Sequence, residues 1–75
     1  MTCRSLLAQA SDRLQKAGIE PSRLDARVLL EFATGWSHST LVSNEKAEIS
    51  PRIVDDYLGL IERRINHEPV HRITG

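Results

Sequence analysis

The chain has 75 residues, a length that allows one small domain and limits the size of its core. Its 10 basic and 10 acidic side chains give a formal net charge of zero, which argues against a dedicated nucleic-acid-binding module. A single cysteine, Cys3, excludes an internal disulfide, and no apolar run is long enough for a signal peptide or a membrane span. We therefore expect a cytoplasmic, monomeric domain that is not attached to a membrane.

The first predicted helix covers about residues 3–17. Thr2 is a plausible N-cap, and Gly18 suits a left-handed C-terminal cap with Ile19 folding back as its hydrophobic contact. Apolar side chains recur at helical spacing along this segment at Leu6, Leu7, Ala10, Leu14 and Ala17.

A second helix follows, with Pro21 in its first turn and Gly35 closing it. Its apolar stripe consists of Leu24, Val28, Leu29, Phe32 and Ala33, and we expect this stripe to face the core. Arg27 is expected to pair with Asp25 or Glu31 on the surface.

The segment from Trp36 to Asn44 gives a weaker pattern. Either Ser37 or Ser39 suits the N-cap of a short helix that contains Leu41 and Val42. Trp36, the sole tryptophan, is expected to pack against the core rather than to stack on a ligand.

Ser50-Pro51 is the clearest helix start in the chain, because serine caps and proline favours the first helical position. The apolar positions of this helix are Ile53, Val54, Tyr57, Leu58, Leu60, Ile61 and Ile65. We expect it to end near Asn66, before Glu68-Pro69, with a short helical turn ahead of Gly75. The predicted fold is an all-α bundle of four or five helices.

The string HEPVH, from His67 to His71, matches the H-E-x-x-H pattern of zinc protease helices. That chemistry needs both histidines one turn apart on one helix, and Pro69 lies between them. The chain supplies no third ligand after His71. We therefore predict no metal site and no catalytic residue, and interpret the string as a helix terminus.

A helix-turn-helix is a further alternative, formed by the second helix and the stretch HSTLVSNEKAE at residues 38–48. This would-be recognition helix offers one lysine against two glutamates, which suits neither phosphate contact nor base reading. Nucleic-acid binding is therefore the least favoured interpretation.

Two stretches of the chain, found in this order, resemble two segments of a known protein family. SRLDARVLLEFATG, at residues 22–35, resembles the segment near the start of the HemK (PrmC) family, and ERRINHEPVHRITG, at residues 62–75, resembles its RR-x-x-x-EP segment. The matching positions are Asp25, Ala26, Leu29, Leu30, Gly35, Arg63, Arg64, Glu68, Pro69, Ile73 and Gly75.

The resemblance implies the N-terminal domain of a protein-(glutamine-N5) methyltransferase that acts on class I peptide chain release factors. Residues 1–67 would form a helical substrate-recognition domain, and residues 68–75 would begin the linker to an S-adenosylmethionine-binding methyltransferase domain. No catalytic or cofactor-binding residue carries over to this chain. The linker residues would be Glu68, Pro69 and Gly75. Contacts to the release factor or to the methyltransferase domain would come from Arg63, Arg64, His67 and Arg72.

Two questions stay open at this stage. A freestanding helical adaptor that binds a partner protein would show the same residue patterns. Within the family, a ribosomal protein rather than a release factor would be an equally compatible substrate.

Overall fold

Five helices make up the fold in the computed structural model, which describes residues 1–75. They are α1 (Cys3–Lys16), α2 (Ser22–Thr34), α3 (His38–Ser43), α4 (Pro51–Ile65) and α5 (Val70–Thr74). The one extended pairing is an isolated antiparallel bridge between Thr2 and Glu48. The prediction of a small all-α bundle is confirmed. No helix is both long and apolar enough to cross a membrane.

Serine and threonine side chains cap the N-termini of three of the helices. The hydroxyl of Thr2 accepts from the Ser5 amide at 3.2 Å, and that of Ser50 accepts from the Ile53 amide at 3.4 Å. Ser37, rather than Ser39, caps α3. These contacts satisfy amide groups that have no partner within the helix.

Helix α1 ends as predicted. Gly18 has a φ of +80°, and its amide donates to the Gln15 carbonyl at 3.0 Å. The amide of Ile19 donates to the Leu14 carbonyl at 2.9 Å, and the Ile19 side chain is buried. This pair of bonds is the Schellman motif, which turns the chain back onto the core.

The core lies between α1, α2 and α4, with α5 packed against α2 and α4. Its largest fully buried side chains are Tyr57, Leu6, Leu14, Leu29, Leu30 and Ile61. Trp36 packs against this core, as predicted.

The expectation that the apolar stripe of α2 faces the core is wrong at two positions, and one apolar residue of α3 is exposed as well. Leu24 is 45% exposed, Phe32 51% and Val42 58%. On α2 the cause is geometric: Leu24, Val28 and Phe32 form one line at i, i+4 and i+8, while α1, α4 and α5 cover the opposite side. The apolar stripe of α2 is therefore wider than the part of α2 that the neighbouring helices cover.

The would-be recognition helix is also shorter than the helix-turn-helix interpretation requires. Helix α3 ends at Ser43 after six residues, and Glu45, Lys46 and Glu48 lie outside it.

Tyr57 joins α4 to α2 through the middle of the core. Its hydroxyl donates to the Ala26 carbonyl at 2.8 Å, and the side chain is fully buried. Burial is the main cause that raises the pKa of Tyr57 far above its usual value, and the nearby Cys3 adds to it. The phenol is therefore neutral throughout the physiological range.

Tyr57→Phe is expected to lower the free energy of unfolding by about 1 kcal/mol at pH 7, because one buried hydrogen bond is lost. The raised pKa also makes stability depend on pH. The folded state holds the phenol proton more tightly than the unfolded state, so this contribution is complete below about pH 10 and is lost above it. Urea denaturation across the alkaline range tests both effects. If the free energy of unfolding fell equally at alkaline pH in the wild type and in Tyr57→Phe, the predicted pH dependence would be contradicted.

Candidate functional site

The four basic residues predicted to contact a partner lie around the end of α4, and two of them are engaged within the chain. Arg64 donates from Nε to Asp25 Oδ2 at 3.0 Å, with both side chains mostly buried. Arg63 forms an ion pair with the Glu68 carboxylate. His67 and Arg72 are exposed. A contact between these residues and a partner stays a prediction.

The predicted linker residues form a structured connection between α4 and α5. His67 has a φ of +67°, its amide donates to the Arg64 carbonyl, and the Glu68 amide donates to the Arg63 carbonyl. This is a second Schellman motif, here with histidine in the left-handed position that usually takes glycine. Pro69 then stands at the N-cap of α5. The assignment of residues 68–75 to a linker stays a prediction, although this structure packs α5 onto the bundle.

The two histidines of HEPVH therefore belong to different elements. His67 follows the end of α4, and His71 lies in α5 beyond Pro69. No group of three histidine, cysteine or carboxylate side chains comes close enough together to hold a metal ion. The geometry of a zinc protease helix, with both histidines on one helical face, is not present at this string.

The largest concave surface lies elsewhere, between the N-terminal halves of α1 and α2 and the helix α3. We call it the α1–α2–α3 groove; it encloses about 760 Å³. Leu41 is buried along it, whereas Leu24 and Val42 are exposed. Leu7 and Ala8 complete its apolar lining from α1. A second depression beside Trp36 encloses only about 120 Å³.

Basic side chains line the groove together with these apolar residues. The groove is lined by Arg4, Arg23 and Arg27, and by a single carboxylate, that of Glu45. His38 also lies on it. Arg27 approaches Glu31 at 3.3 Å through Nε, while Arg4 and Arg23 form no ion pair within the chain. The groove thus combines apolar contact area with unneutralised cations.

Cys3 also lines the groove, but its chemistry does not suggest a nucleophile. The side chain is buried, and burial is the main cause that raises the pKa of the Cys3 thiol, followed by the negative charge of Glu45. A thiol that stays protonated at neutral pH is a weak nucleophile, since the thiolate is the reactive form.

Sequence reasoning did not identify the groove. Its residues come from three helices that are separate in the sequence, and Leu24 was expected to face the core. One local signal was available at Leu24, which Arg23 and Arg27 flank on the same side of α2.

The fold is a small helical bundle with one large concave surface, the α1–α2–α3 groove, which apolar and basic side chains line. The sequence profile of the PrmC N-terminal domain family matches residues 5–75, and the chain belongs to this family. The resemblance seen in the two sequence stretches is confirmed.

Curated relatives extend this result. The chain is 35% identical over 72 residues to a bifunctional methyltransferase of Rickettsia felis, covering 96% of the chain and 14% of the relative. It is 38% identical over 66 residues to a release factor glutamine methyltransferase of Caulobacter vibrioides, covering 88% and 23%. A protein with the same name from Deinococcus radiodurans is 36% identical over 75 residues, covering 100% and 27%. No solved structure matches the chain.

Proposed function

We propose that this chain is the N-terminal substrate-recognition domain of a longer protein-(glutamine-N5) methyltransferase. Its substrate is the glutamine of the Gly-Gly-Gln loop of class I peptide chain release factors, and its methyl donor is S-adenosylmethionine. The observation that supports this most is the family match over residues 5–75 together with relatives named release factor glutamine methyltransferase. Because release factors act on ribosomes, the proposal places the enzyme in the cytoplasm.

The chain spans between 14% and 27% of the length of these relatives, so the chemistry is assigned to the rest of the parent protein. The α1–α2–α3 groove does not fit S-adenosylmethionine. Its three arginines would face the positively charged sulfonium and amino groups with only Glu45 in return. The proposal therefore places the cofactor in a methyltransferase domain outside residues 1–75.

A recognition domain meets a physical need of this reaction. A glutamine amide nitrogen is a poor nucleophile, so the acceptor must be held in line with the methyl donor, and orientation of this kind lowers the barrier substantially. Contacts made away from the reacting loop supply binding energy that is used at the reacting centre. A rigid helical bundle with an open groove suits that task.

Deletion of residues 1–75 from the complete enzyme tests the proposal. The whole segment is removed because α5 packs against α2 and α4, and a cut before α5 would expose Ile73. We expect the shortened enzyme to bind S-adenosylmethionine normally and to lose about 100-fold in kcat/KM on intact release factor. Methylation is followed by transfer of a labelled methyl group.

A short peptide that contains the Gly-Gly-Gln sequence provides the control substrate, because it cannot make the remote contacts. Both enzymes should methylate this peptide at similar, low rates. A shortened enzyme that binds the cofactor and methylates intact release factor at the full-length rate would overturn the recognition role.

A further inference from the structure

The α1–α2–α3 groove combines two properties that select a particular kind of ligand. Its apolar residues stay open to solvent at Leu24 and Val42, although both are large hydrophobic side chains. Exposed apolar side chains gathered in a concave site favour a partner that brings its own apolar groups. The groove volume of about 760 Å³ lies in the size range of sites that bury a ligand, so it has room for apolar side chains of such a partner.

Two of the three arginines of the groove form no ion pair within the chain, whereas three of the five arginines outside it do. Arg13 is paired with Glu62 at 2.6 Å, Arg64 with Asp25, and Arg63 with Glu68. In contrast, Arg4 and Arg23 form no ion pair and no side-chain hydrogen bond. Both stand in the first turn of their helix, where the helix dipole adds positive potential.

Arg27 contributes to the same surface. Its Nε atom is buried and donates no hydrogen bond, although it forms an ion pair with Glu31 Oε2 at 3.3 Å. The outer guanidinium nitrogens have no partner in the chain. The groove therefore presents two unpaired guanidinium groups, those of Arg4 and Arg23, and the outer nitrogens of Arg27. A guanidinium binds a carboxylate well because its planar group matches the carboxylate with two parallel hydrogen bonds.

These features argue against other ligands of negative charge. No tryptophan, tyrosine or phenylalanine lines the groove, so the imidazole of His38 is the only ring there on which the bases of a single-stranded nucleic acid could stack. The apolar lining is recessed between three helices rather than displayed on a convex surface, which does not suit an anionic lipid bilayer. A peptide that carries carboxylates beside large apolar side chains complements both the apolar residues and the arginines of the groove.

We propose that the α1–α2–α3 groove binds an acidic amphipathic segment of the substrate protein, at a distance from the glutamine that is methylated. This inference rests on the proposed function, since it takes the occupant to be the methyl acceptor. Apolar side chains of the segment insert between Leu24, Leu41 and Val42. Its carboxylates meet Arg4, Arg23 and Arg27 at the rim, where charge complementarity sets orientation and association rate.

Binding of defined peptides to this chain tests the chemistry of the groove. The probe is a fluorescent peptide with glutamates and leucines at helical spacing, and its binding is measured by anisotropy. One matched peptide replaces every glutamate with glutamine, and another replaces every leucine with alanine. We expect each replacement to weaken binding about tenfold or more, because each removes one of the two complementary features.

Protein variants locate the binding site. Arg23→Glu and Arg4→Glu are each expected to weaken binding of the acidic peptide about tenfold. Arg52→Glu is the matched control, because Arg52 is an exposed, unpaired arginine on α4 away from the groove and the change in net charge is the same.

Val42→Asp removes an exposed apolar side chain and should also weaken binding without unfolding the domain. Methyl resonances of Leu24, Leu41 and Val42 should shift on peptide addition.

The same variants in the complete enzyme connect the groove to the substrate. Arg23→Glu should lower kcat/KM on intact release factor about tenfold and leave the short Gly-Gly-Gln peptide unaffected. Equal effects of Arg23→Glu and Arg52→Glu would overturn the proposal, as would peptide binding that is indifferent to the leucines. Unchanged methylation of release factor by Arg23→Glu would also overturn it. If deletion of residues 1–75 still abolishes activity in that case, the recognition role stands without this groove.

Discussion

Asp25→Ala is expected to lower the free energy of unfolding by about 3 kcal/mol, because it leaves the guanidinium of Arg64 mostly buried without its counter-ion. The two side chains are 13% and 19% exposed, and Arg64 Nε donates to Asp25 Oδ2 at 3.0 Å. The Nη1 atom of Arg64 also lies 3.4 Å from the Glu68 carbonyl. This ion pair therefore joins α2, α4 and the connection to α5.

Chemical denaturation of Asp25→Ala, Arg64→Met and the double variant measures this interaction. We expect the double variant to lose less stability than the sum of the single variants, because the second substitution removes the uncompensated charge. Asp12→Ala provides the control, since Asp12 pairs with Lys16 on an exposed face of α1. That change should cost under about 0.5 kcal/mol. A similar small loss for Asp25→Ala would show that the pair does not stabilise the fold.

Ile73→Ala is expected to lower the free energy of unfolding by about 2–3 kcal/mol, because it opens a cavity where α5 meets α2 and α4. The Ile73 side chain is 5% exposed, although it lies only two residues from the end of the chain. Helix α5 has five residues and little helical stability of its own, so its position depends on this contact.

Amide hydrogen exchange distinguishes local from global effects of Ile73→Ala. Residues 70–74 should lose protection more than α1 does, since α5 has fewer contacts with the bundle. His71→Ala, on the exposed side of the same helix, is the control and should change stability by less than about 0.5 kcal/mol. If both variants behaved alike, α5 would not be a packed part of the domain.

The two sequence stretches that carry the family resemblance meet each other in the fold. Asp25 comes from the first stretch and Arg64 from the second, and they form the buried ion pair. Leu29, Leu30 and Ile73 from the same stretches are buried in the core. These residues build the domain, whereas Arg4, Arg23 and Val42 of the proposed recognition groove lie outside the matching positions.

The end of α1 and the start of α4 follow from neighbouring residues in the sequence. Gly18 and Ile19 were predicted to close α1, and Ser50-Pro51 to start α4, from residues no more than five positions apart. Local hydrogen bonds within one turn decide such ends, so the sequence contains the information. The end of α4 was also predicted near Asn66, but the left-handed His67 was not.

The sequence by itself determined the fold class, the order of the helices, and the family to which the domain belongs. These depend on helical spacing and capping, which are properties of neighbouring residues. Only the tertiary structure decided which apolar side chains stay exposed and which charges pair. Asp25 pairs with Arg64, 39 positions away, rather than with Arg27, whereas the other expected pair, Arg27 with Glu31, is present. The groove was unpredictable for the same reason. Its residues become neighbours only when α1, α2 and α3 pack together. Helical periodicity does not specify which side of a helix the adjacent helices leave uncovered.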